Sequence, residues 1–348
     1  MAITIREVAR HSQVSISTAS RALNGRLDVS KDVRARVLAA AQELNYAANL
    51  HARALRGTTT KTLGVVLHDT RALTFNAALM NGIYEAATPR GYSVTVFNAA
   101  ATADGERRGH QMLLEKRVDG ILLNSVLSGA EPLRRLVAEG VPFVLVNRRT
   151  DRLDLDVACD SVFLDYERGS YLATRHLLEL GHRHILYQLG PRDHVPSLER
   201  LPGYRHALEE YGVPWAPELI VHAQGLAQTH RRVREAMSRL RPRPTAVMAY
   251  NDESALPVLK ALHDLELQVP HDVSVVGQNN LNFAQFLVPP LTTVAHSAEE
   301  VGRLGAEILL QKLRWPEDEP WEARHVVCQP ELIVRASTGA PIAGKGHA

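Results

Sequence analysis

The feature that most constrains this chain is the alternation of short apolar runs with longer helical patterns from residue 62 onward. Because consecutive strand–helix–strand units build parallel sheets with right-handed crossovers, this order predicts an α/β body. About seven such units are too many for one open sheet, so we expect two α/β lobes. The predicted strands are 62–67, 92–97, 118–123, 143–146, 184–189, 245–249 and 273–276. The predicted helices are 76–87, 105–115, 131–139, 167–180, 201–211, 229–240 and 254–265.

Composition excludes several classes of protein. Of the 348 residues, 45% are hydrophobic and 22% are charged, which is typical of a globular protein with buried cores. The two cysteines, Cys159 and Cys328, show no metal-ligand spacing and cannot form a disulfide framework, so we expect a reducing cytoplasm. No uninterrupted apolar run approaches the ~18 residues of a membrane span, and the N-terminus lacks the pattern of a secretion signal.

The first 46 residues predict three short helices. Thr4 and Glu7 form a capping-box pattern, in which the hydroxyl and the carboxylate satisfy free backbone amides at a helix start. Ser15 and Ser30 are candidate N-caps for the second and third helices. Two short helices joined by a tight turn and supported by a third helix make a helix-turn-helix domain.

Positive charge is concentrated at this end of the chain. Residues 1–61 contain ten Lys and Arg against four acids, a net +6, although the whole chain carries only +2. A basic module suits the attraction of phosphates. An ordinary solvated helical surface would carry the same charge, so charge alone leaves both interpretations open.

The second predicted helix has two chemically different faces. Helical spacing turns the following side chains outward: Ile16, Ser17, Ser20, Arg21 and Asn24. It turns the following side chains inward: Val14, Thr18, Ala19, Ala22 and Leu23. The outward face suits a DNA major groove, since Arg binds guanine O6 and N7 bidentately and Ile16 can contact a thymine methyl. The alternative is a packed three-helix domain that binds no nucleic acid.

Motifs along nearly the whole chain resemble the LacI/GalR family of bacterial transcription regulators. In the N-terminal part these motifs are TIREVA at 4–9, VSISTASRALNG at 14–25, AAAQELNY at 39–46 and NLHARAL at 49–55. In the body they are VDGI at 118–121, HLLELGHR at 176–183, RLPGY at 200–204, NDESA at 251–255, VPHDVSVVG at 269–277 and PPLTTV at 289–294. Because many motifs match in the same order, the DNA-binding interpretation is favoured over a three-helix domain that binds no nucleic acid.

The resemblance implies roles for the N-terminal residues. Ile16 and Ser17 would read bases, and Arg21 would bind a guanine. The following residues match positions that contact phosphate or support register in the family: Thr4, Ser15, Thr18, Ser20, Asn24, Ser30, Tyr46 and Asn49. Residues 49–56, including Ala52, would form a hinge helix that folds only on operator DNA. Leu55 matches the leucine that enters the minor groove between central base pairs.

The resemblance also implies the domain organisation and the fold class. The body is similar to periplasmic binding proteins, in which two α/β lobes joined by three crossings hold a ligand in the cleft. We therefore expect an all-α helix-turn-helix headpiece plus a two-lobe α/β core similar to those proteins. The predicted boundaries are 1–46 for the headpiece, 47–61 for the hinge and linker, 62–338 for the core and 339–348 for a disordered tail. The predicted lobes are 62–158 with 290–322, and 159–289 with 323–338.

Polar and aromatic residues near predicted strand ends form the candidate ligand site. In open α/β sheets, ligands bind beyond the carboxyl ends of the strands. The candidate residues are His68, Asp69, Phe75, Asn124, Asn147, Arg200, Tyr250, Asn251 and Asn279. Arg200 matches the ligand-binding arginine of the family, and Phe75 and Tyr250 could stack on a ring. Taken singly, each of them is better explained as a loop side chain that satisfies nearby backbone groups. Their arrangement at consecutive strand ends favours the ligand site.

Two departures from the family bear on the ligand. Asn147 and Asn279 stand where many sugar-responsive members carry aspartates that accept hydrogen bonds from hydroxyls. Amides carry no charge, so a pocket with Arg200 should tolerate an anionic ligand better than a typical neutral-sugar pocket. A sugar acid, a sugar phosphate or another small carboxylate is our hypothesis from these residues, whereas on family grounds a neutral sugar is the first expectation.

These observations predict a sequence-specific DNA-binding transcription regulator, most simply a repressor. It would bind a palindromic operator as a homodimer and respond to a small-molecule effector. A solute-binding protein of a transport system would share the body but has no use for residues 1–57. Nucleotide-binding, nucleophile-elbow and zinc-protease motifs do not occur in the chain, which disfavours an enzyme. The 16 histidines invite a metal hypothesis, but 181–184 resembles a family turn, and we expect no cofactor.

Overall fold

A computed structural model describes most of the chain. The described residues are 3–23, 26, 28–46, 59–67, 73–98, 115, 117–124, 130–150, 158–192, 194–316 and 318–342. They fall into two compact units, which divide between Thr60 and Lys61. The first unit is called the head here, and the second unit is called the body.

Three helices make up the described part of the head. They are α1 (Ile5–His11), α2 (Ile16–Leu23) and α3 (Lys31–Glu43). The predicted capping box is present at α1, where the Thr4 backbone N–H donates to the Glu7 carboxylate at 2.6 Å. Ser30 Oγ caps α3 by accepting from a backbone N–H, as its position predicts.

Small apolar side chains fill the core of the head. The buried members are Val8, Ala9, Ala19, Ala22, Val29, Val37 and Ala40. Because these side chains are short, the three helices approach one another closely, with α2 packed on both α1 and α3. The small core leaves the larger and polar side chains of α2 on the outer surface.

The body contains two six-stranded sheets. The first has the order β11-β5-β4-β3-β1-β2, and the second has the order β12-β10-β9-β8-β6-β7. Among the described strands, every pairing is parallel except the antiparallel pair of β10 and β12. The strands of the first sheet are β1 (Thr62–Leu67), β2 (Ser93–Asn98), β3 (Gly120–Asn124), β4 (Phe143–Val146), β5 (Ser161–Leu164) and β11 (His325–Cys328). Those of the second sheet are β6 (Ile185–Leu189), β7 (Ile220–His222), β8 (Ala246–Met248), β9 (Ser274–Gln278), β10 (Thr292–Ala295) and β12 (Glu331–Ile333).

Helices cover both sheets and supply the rest of the core. The described helices are α4 (Leu73–Ala87), α5 (Ala130–Ala138), α6 (Tyr166–Glu179), α7 (Val195–Glu210), α8 (Gly225–Arg239), α9 (Asp252–His263) and α10 (Ala298–Lys312). Three short 3₁₀ helices lie at Thr88–Arg90, Pro217–Leu219 and Ala284–Phe286. Helices α4 and α10 pack on each other in the first lobe, as do α6 and α7 in the second.

The two helix pairs meet at glycines. A Cβ on Gly82 of α4 would lie 1.8 Å from the carbonyl oxygen of Glu299. A Cβ on Gly203 of α7 would lie 1.9 Å from the carbonyl oxygen of Glu167. No side chain fits at either point, so the two helix backbones of each pair are in close contact there.

The predicted strands agree with the structure within two residues at each end, and 62–67 and 143–146 agree at both ends. Five strands were not predicted: β5, β7, β10, β11 and β12. Helix α10 was not predicted either. The predicted helix 105–115 lies almost entirely outside the described residues.

The predicted lobe boundaries are wrong at three places. Residues 159–164 were assigned to the second lobe, but β5 pairs with β4 in the first sheet. Residues 290–295 were assigned to the first lobe, but β10 pairs with β9 in the second sheet. Strand β11 was assigned to the second lobe and pairs with β5 of the first. The chain crosses between the sheets after β5, after β10 and after β11. Each of these short strands has one neighbour that is distant in sequence, since β5 pairs with β11 and β10 pairs with β12.

The start of the predicted disordered tail is also wrong. The backbone N–H of Gly339 donates to Ser274 Oγ at 3.0 Å, and its carbonyl lies 2.9 Å from His182 Nε2. Thr338 Oγ1 lies 3.0 Å from His176 Nε2. Residues up to 342 therefore pack on the second lobe, while 343–348 lie outside the described residues.

Candidate DNA-recognition face and ligand cleft

Helix α2 carries the outward face that its sequence predicts. Ile16 is 45% exposed, and Ser17 and Arg21 are exposed beside it. Ala19 and Ala22 of the same helix are buried against α1 and α3. The helix therefore presents an apolar group, a hydroxyl and a guanidinium side by side, which are the groups that read base edges in a major groove.

A cluster of hydroxyls occupies the N-terminus of α2. Ser15 Oγ lies 2.8 Å from both Ser17 Oγ and Thr18 Oγ1, and it accepts from the Thr18 backbone N–H at 3.1 Å. A helix N-terminus has a positive dipole end and free backbone N–H groups. This end of α2 suits a phosphate of the DNA backbone.

Arg21 is oriented by a residue that sequence reasoning did not single out. Its Nη1 lies 3.1 Å from Asp28 Oδ2, and both side chains are about half exposed. An exposed ion pair of this kind is worth only about 0–1 kcal/mol. Asp28 can therefore hold Arg21 in place on the outward face and still yield it to a base.

The other predicted DNA-binding residues lie around this face or outside the described chain. Thr4 and Ser30 start α1 and α3, Ser20 is half-buried on α2, and Tyr46 packs partly against the head core. Four predicted DNA-binding residues lie outside the described residues: Asn24, Asn49, Ala52 and Leu55.

In the body, two of the candidate asparagines follow strand ends in left-handed backbone. Asn147 follows β4 with a φ of 58°, and Asn279 follows β9 with a φ of 100°. Asparagine tolerates this region better than most residues with a side chain. Their backbone N–H groups donate to the carbonyls of Val162 and Val294, each at 2.7 Å. The backbone at each position still pairs with the next strand while the amide side chain leaves the sheet.

Arg200 lies at the centre of the candidate cleft. It is 2% exposed, and its guanidinium lies between the rings of Tyr166 at 4.8 Å and Tyr250 at 4.6 Å. Its Nη1 donates to the Tyr250 carbonyl at 2.6 Å. Its Nε is buried and has no hydrogen-bond partner. The two aromatic faces therefore hold the side chain in place. The guanidinium still has N–H groups, including Nε–H, that can donate hydrogen bonds to a ligand.

Tyr166 connects the two lobes at this point. It begins α6 of the second lobe, and its hydroxyl donates to Asn147 Oδ1 of the first lobe at 2.9 Å. Burial raises the pKa of Tyr166 to about 12, so the phenol keeps its proton. Its ring also lies 5.3 Å from the imidazole of His296, which follows β10 at a crossing between the sheets.

His296 is buried and neutral. Burial, together with the charge of Arg200, lowers the pKa of His296 to about 3. Both ring nitrogens are buried and have no hydrogen-bond partner. One therefore offers a hydrogen-bond donor and the other an acceptor beside Arg200.

A second contact joins the lobes between helix starts. Thr74 at the start of α4 donates from Oγ1 to Glu253 Oε1 at the start of α9, at 2.6 Å. This hydrogen bond and the one between Tyr166 and Asn147 both depend on the relative position of the two lobes. A ligand that changes that position would change both contacts.

The other predicted cleft residues have local roles. Asn251 Oδ1 caps α9 by accepting from the Ser254 N–H at 2.8 Å. Asn124 is buried and donates from Nδ2 to Asn76 Oδ1 at 3.3 Å. Phe75 is half-buried against the core of the first lobe. His68 and Asp69 lie outside the described residues.

Of the predicted set, the structure connects Asn147 to Arg200 through Tyr166, and Arg200 contacts Tyr250 directly. Sequence reasoning missed Tyr166, Ser197 and His296. Ser197 is buried on α7 near Tyr250, since a Cβ on Gly190 would lie within 3.0 Å of both. His296 lies two residues after the PPLTTV motif, which is the signal that could have placed it at a strand end.

None of the described helices has both the length and the apolar composition of a membrane span. Within the described ranges, His, Cys, Asp and Glu side chains nowhere gather in threes that could hold a metal ion.

Comparison with protein families gives two matches. Residues 4–49 match the model of bacterial regulatory proteins of the lacI family, and residues 174–338 match the periplasmic binding protein-like domain. Among curated proteins, the HTH-type transcriptional repressor PurR of Vibrio atlanticus is 32% identical over 336 residues, covering 96% of this chain and 98% of its own length.

Solved structures give the same result. The lac repressor dimer bound to operator and the anti-inducer ONPF has a TM-score of 0.84 at 26% identity, with 98% of this chain and 100% of that chain covered. A complex of the transcriptional regulator CelR with cellobiose has a TM-score of 0.71 at 30% identity, with 96% and 99% covered.

The fold and the two matches define a helix-turn-helix transcription regulator with a body like that of a periplasmic binding protein. The chain belongs to the LacI family of bacterial regulatory proteins. It is a ligand-controlled DNA-binding regulator of the repressor type and not an enzyme, and the transport alternative is not favoured.

Proposed function

We propose that this repressor reads a palindromic operator with the outward face of α2. The observation that carries the proposal is the exposure of Ile16, Ser17 and Arg21 on one helix whose opposite face is buried. Ser17 and Ile16 contact base edges, and Arg21 binds a guanine. Ser15 and Thr18 at the N-terminus of α2 hold a backbone phosphate, which fixes the register.

We propose that the other predicted residues of the head and hinge also contact the DNA or position the head on it. Thr4, Ser20, Ser30 and Tyr46 support the position of the head on the DNA backbone. Asn24 and Asn49 add phosphate contacts, and Ala52 and Leu55 act from the hinge. Leu55 enters the minor groove at the operator centre, and the bend that results brings more protein surface into contact.

The protein acts as a homodimer, because one recognition helix reads too few base pairs for a specific site. Exposed apolar side chains on the second lobe support a surface for a second copy. They are Leu226 on α8, Leu256 on α9, and Phe286 and Val288 beyond β9. These elements pack on one core cluster of that lobe. Because contiguous exposed apolar surface marks protein–protein interfaces, we propose that these side chains lie in the contact with the second copy.

The effector is a sugar or a sugar-derived metabolite that binds where the lobes meet. Asn147, Arg200, Tyr250 and Asn279 contact it, and further contacts come from His68, Asp69, Phe75, Asn124 and Asn251. Binding favours one arrangement of the lobes and thereby shifts the dimer between a state that binds operator and one that does not. Because its target is chromosomal DNA, the protein works in the bacterial cytoplasm, associated with the nucleoid.

An operator selection tests this function. The full-length protein selects duplexes from a pool with randomised half-sites around a central CG step, and fluorescence anisotropy measures affinity at two salt concentrations. We expect selective binding that weakens as salt rises, because phosphate contacts release counterions. Enrichment of no palindrome would contradict the proposal.

Leu55→Ala and Leu38→Ala provide a matched pair for the hinge. Leu38 is an exposed leucine on α3 of the head. We expect Leu55→Ala to weaken operator binding on the order of tenfold through loss of the inserted side chain, and Leu38→Ala to leave it unchanged. Equal effects of the two variants on operator affinity would contradict the proposed role of Leu55 in the minor groove.

A further inference from the structure

The charge of Arg200 has no counterion in the described part of the chain. The side chain is 2% exposed, yet it forms no ion pair with a described carboxylate. Its contacts are two aromatic faces and one backbone carbonyl. Burying a cation without a partner is unfavourable, so the site is suited to a ligand that brings a negative charge.

The buried carboxylates of the second lobe are committed elsewhere. Asp252 accepts from Thr293 Oγ1 and from the Leu281 N–H, each at 2.6 Å. Burial raises the pKa of Asp252 to about 6, which weakens it further as a counterion. Glu199, beside Arg200 on α7, makes a contact of its own. The charge of Arg200 acts on Asp252 and lowers the pKa of that carboxyl, but the two side chains do not form an ion pair in the described structure.

A second donor lies one helical turn before Arg200. Ser197 is 2% exposed on the same helix, and its Oγ is buried with no hydrogen-bond partner. Ser197 and Arg200 occupy positions i and i+3, so their side chains lie on one face of α7. Both adjoin Tyr250, Arg200 through its ring and Ser197 through the close approach at Gly190.

The start of α7 adds a favourable dipole. The helix begins at Val195, its first turn contains no acidic side chain, and His194 at its N-cap makes no side-chain cap. The positive end of a 16-residue helix therefore lies beside Ser197. From the first lobe, Asn147 accepts a hydrogen bond from Tyr166, whose ring lies on the Arg200 guanidinium, and its uncharged amide does not repel an anion.

We infer that the effector carries an oxyanion, a carboxylate or a phosphate, which binds between Ser197 Oγ and the Arg200 guanidinium. This inference rests on the proposed function, since it names the chemical class of the effector in that cleft. Arg200 forms charge-assisted hydrogen bonds to the oxyanion, and Ser197 donates a further one. Ser197 thus acts with Arg200 to determine specificity for an effector that carries an oxyanion.

Thermal unfolding and isothermal titration of the full-length protein test the inference at constant ionic strength. The probes are inorganic phosphate, gluconate and, as the neutral match of gluconate, glucose. The variants are Arg200→Gln, Arg200→Lys and Ser197→Ala. The control is Arg205→Gln, which removes an exposed arginine of the same helix that stacks on Trp215.

We expect phosphate or gluconate, or both, to stabilise the wild-type protein. The comparison of these two probes shows whether the site prefers a phosphate or a carboxylate. Arg200→Gln should weaken this binding at least about tenfold, because a hydrogen bond to a charged group is lost. Arg200→Lys should retain part of it, Ser197→Ala should weaken it a few-fold, and Arg205→Gln should leave it unchanged. Glucose should bind far more weakly than gluconate.

Three results would overturn the inference. They are stabilisation by glucose equal to that by gluconate, oxyanion binding unaffected by Arg200→Gln, and no binding of either oxyanion to the wild-type protein. Operator binding is measured in parallel without these probes. Loss of oxyanion binding with operator binding intact defeats this inference alone, whereas failure to bind any operator defeats the proposed function.

Discussion

In the head, Ile16 and Arg21 are exposed on a single helix, whereas in the body Asn147 and Arg200 are buried where distant segments meet. The head works on a large, rigid and highly charged ligand, so its groups reach outward from a small core. The body binds a small ligand and must surround it. The difference explains why a two-turn helix suffices in one region, while three crossings of the chain are needed in the other.

The same difference extends to packing. The head core consists of alanines and valines around three helices, and the head surface carries the chemistry. The body closes its helix pairs at glycines and holds its chemistry inside. We therefore expect substitutions in the body core to act on ligand binding, and substitutions in the head core to act on DNA binding alone.

The largest expected effect is that of Gly203→Ala. Its Cβ would lie 1.9 Å from the Glu167 carbonyl oxygen, so α6 and α7 would have to separate. We expect a loss of about 3 kcal/mol in the free energy of unfolding of the body. Oxyanion binding should weaken as well, since α7 carries Arg200. Chemical denaturation and titration measure both effects, with the exposed Glu209→Ala on the same helix as control.

Gly82→Ala sharpens this prediction. It forces a methyl against the Glu299 carbonyl oxygen in the first lobe, on helices that carry neither Ser197 nor Arg200. We expect a similar loss of stability with a smaller effect on oxyanion binding. If both glycine variants impaired binding equally, the assignment of the anion contact to α7 would be contradicted.

The next effect is a pH dependence specific to the body. The pKa of His296 is lowered to about 3 by burial, against an ordinary value of 6.5. As pH falls from 6.5 towards 3, the unfolded chain takes up a proton that the folded body does not. Stability therefore decreases by ~1.4 kcal/mol per pH unit from this group.

Denaturant unfolding of the wild-type protein and His296→Gln between pH 7 and pH 4 measures that contribution. The difference in stability between the two proteins should shift in favour of the variant as pH falls. A difference that stays constant over this range would show that the imidazole is already accessible to protons.

A smaller effect is expected from Ser30→Ala in the head. Ser30 Oγ accepts from the Val33 N–H at the start of α3, and loss of an N-cap costs about 1 kcal/mol. Calorimetry should show a lower unfolding temperature for the head and an unchanged transition for the body. The control is Ser17→Ala, which removes an exposed hydroxyl that lies 2.8 Å from Ser15 Oγ. A lowered body transition would show that the two units unfold together.

The head could be predicted almost completely from the sequence. Its helix starts depend on Thr4, Ser15 and Ser30, and each cap acts on backbone groups within three residues. The outward face of α2 follows from helical spacing alone. Asp28 was missed, because its contact with Arg21 across the turn has no periodic pattern.

The candidate cleft could be predicted only in part. Arg200, Asn147 and Tyr250 were found through family motifs and strand ends. Tyr166 and His296 were missed because they follow β5 and β10, four-residue strands that were not predicted. Each of these strands is stabilised by partners elsewhere in the chain, such as β11, which pairs with β5 from more than 150 residues away. Local propensity carries little information about such pairing.

The most direct test of base recognition by α2 compares the DNA affinities of Arg21→Ala and Arg36→Ala. Fluorescence anisotropy measures each affinity on the selected operator and on a duplex of scrambled sequence. Arg36 is an exposed arginine on α3 and serves as the matched loss of charge. We predict that Arg21→Ala loses about 1–3 kcal/mol on the operator, with a far smaller loss on the scrambled duplex, because it removes a base contact. Arg36→Ala should weaken both duplexes equally and slightly. Equal losses on the two duplexes for Arg21→Ala would contradict base reading by this helix.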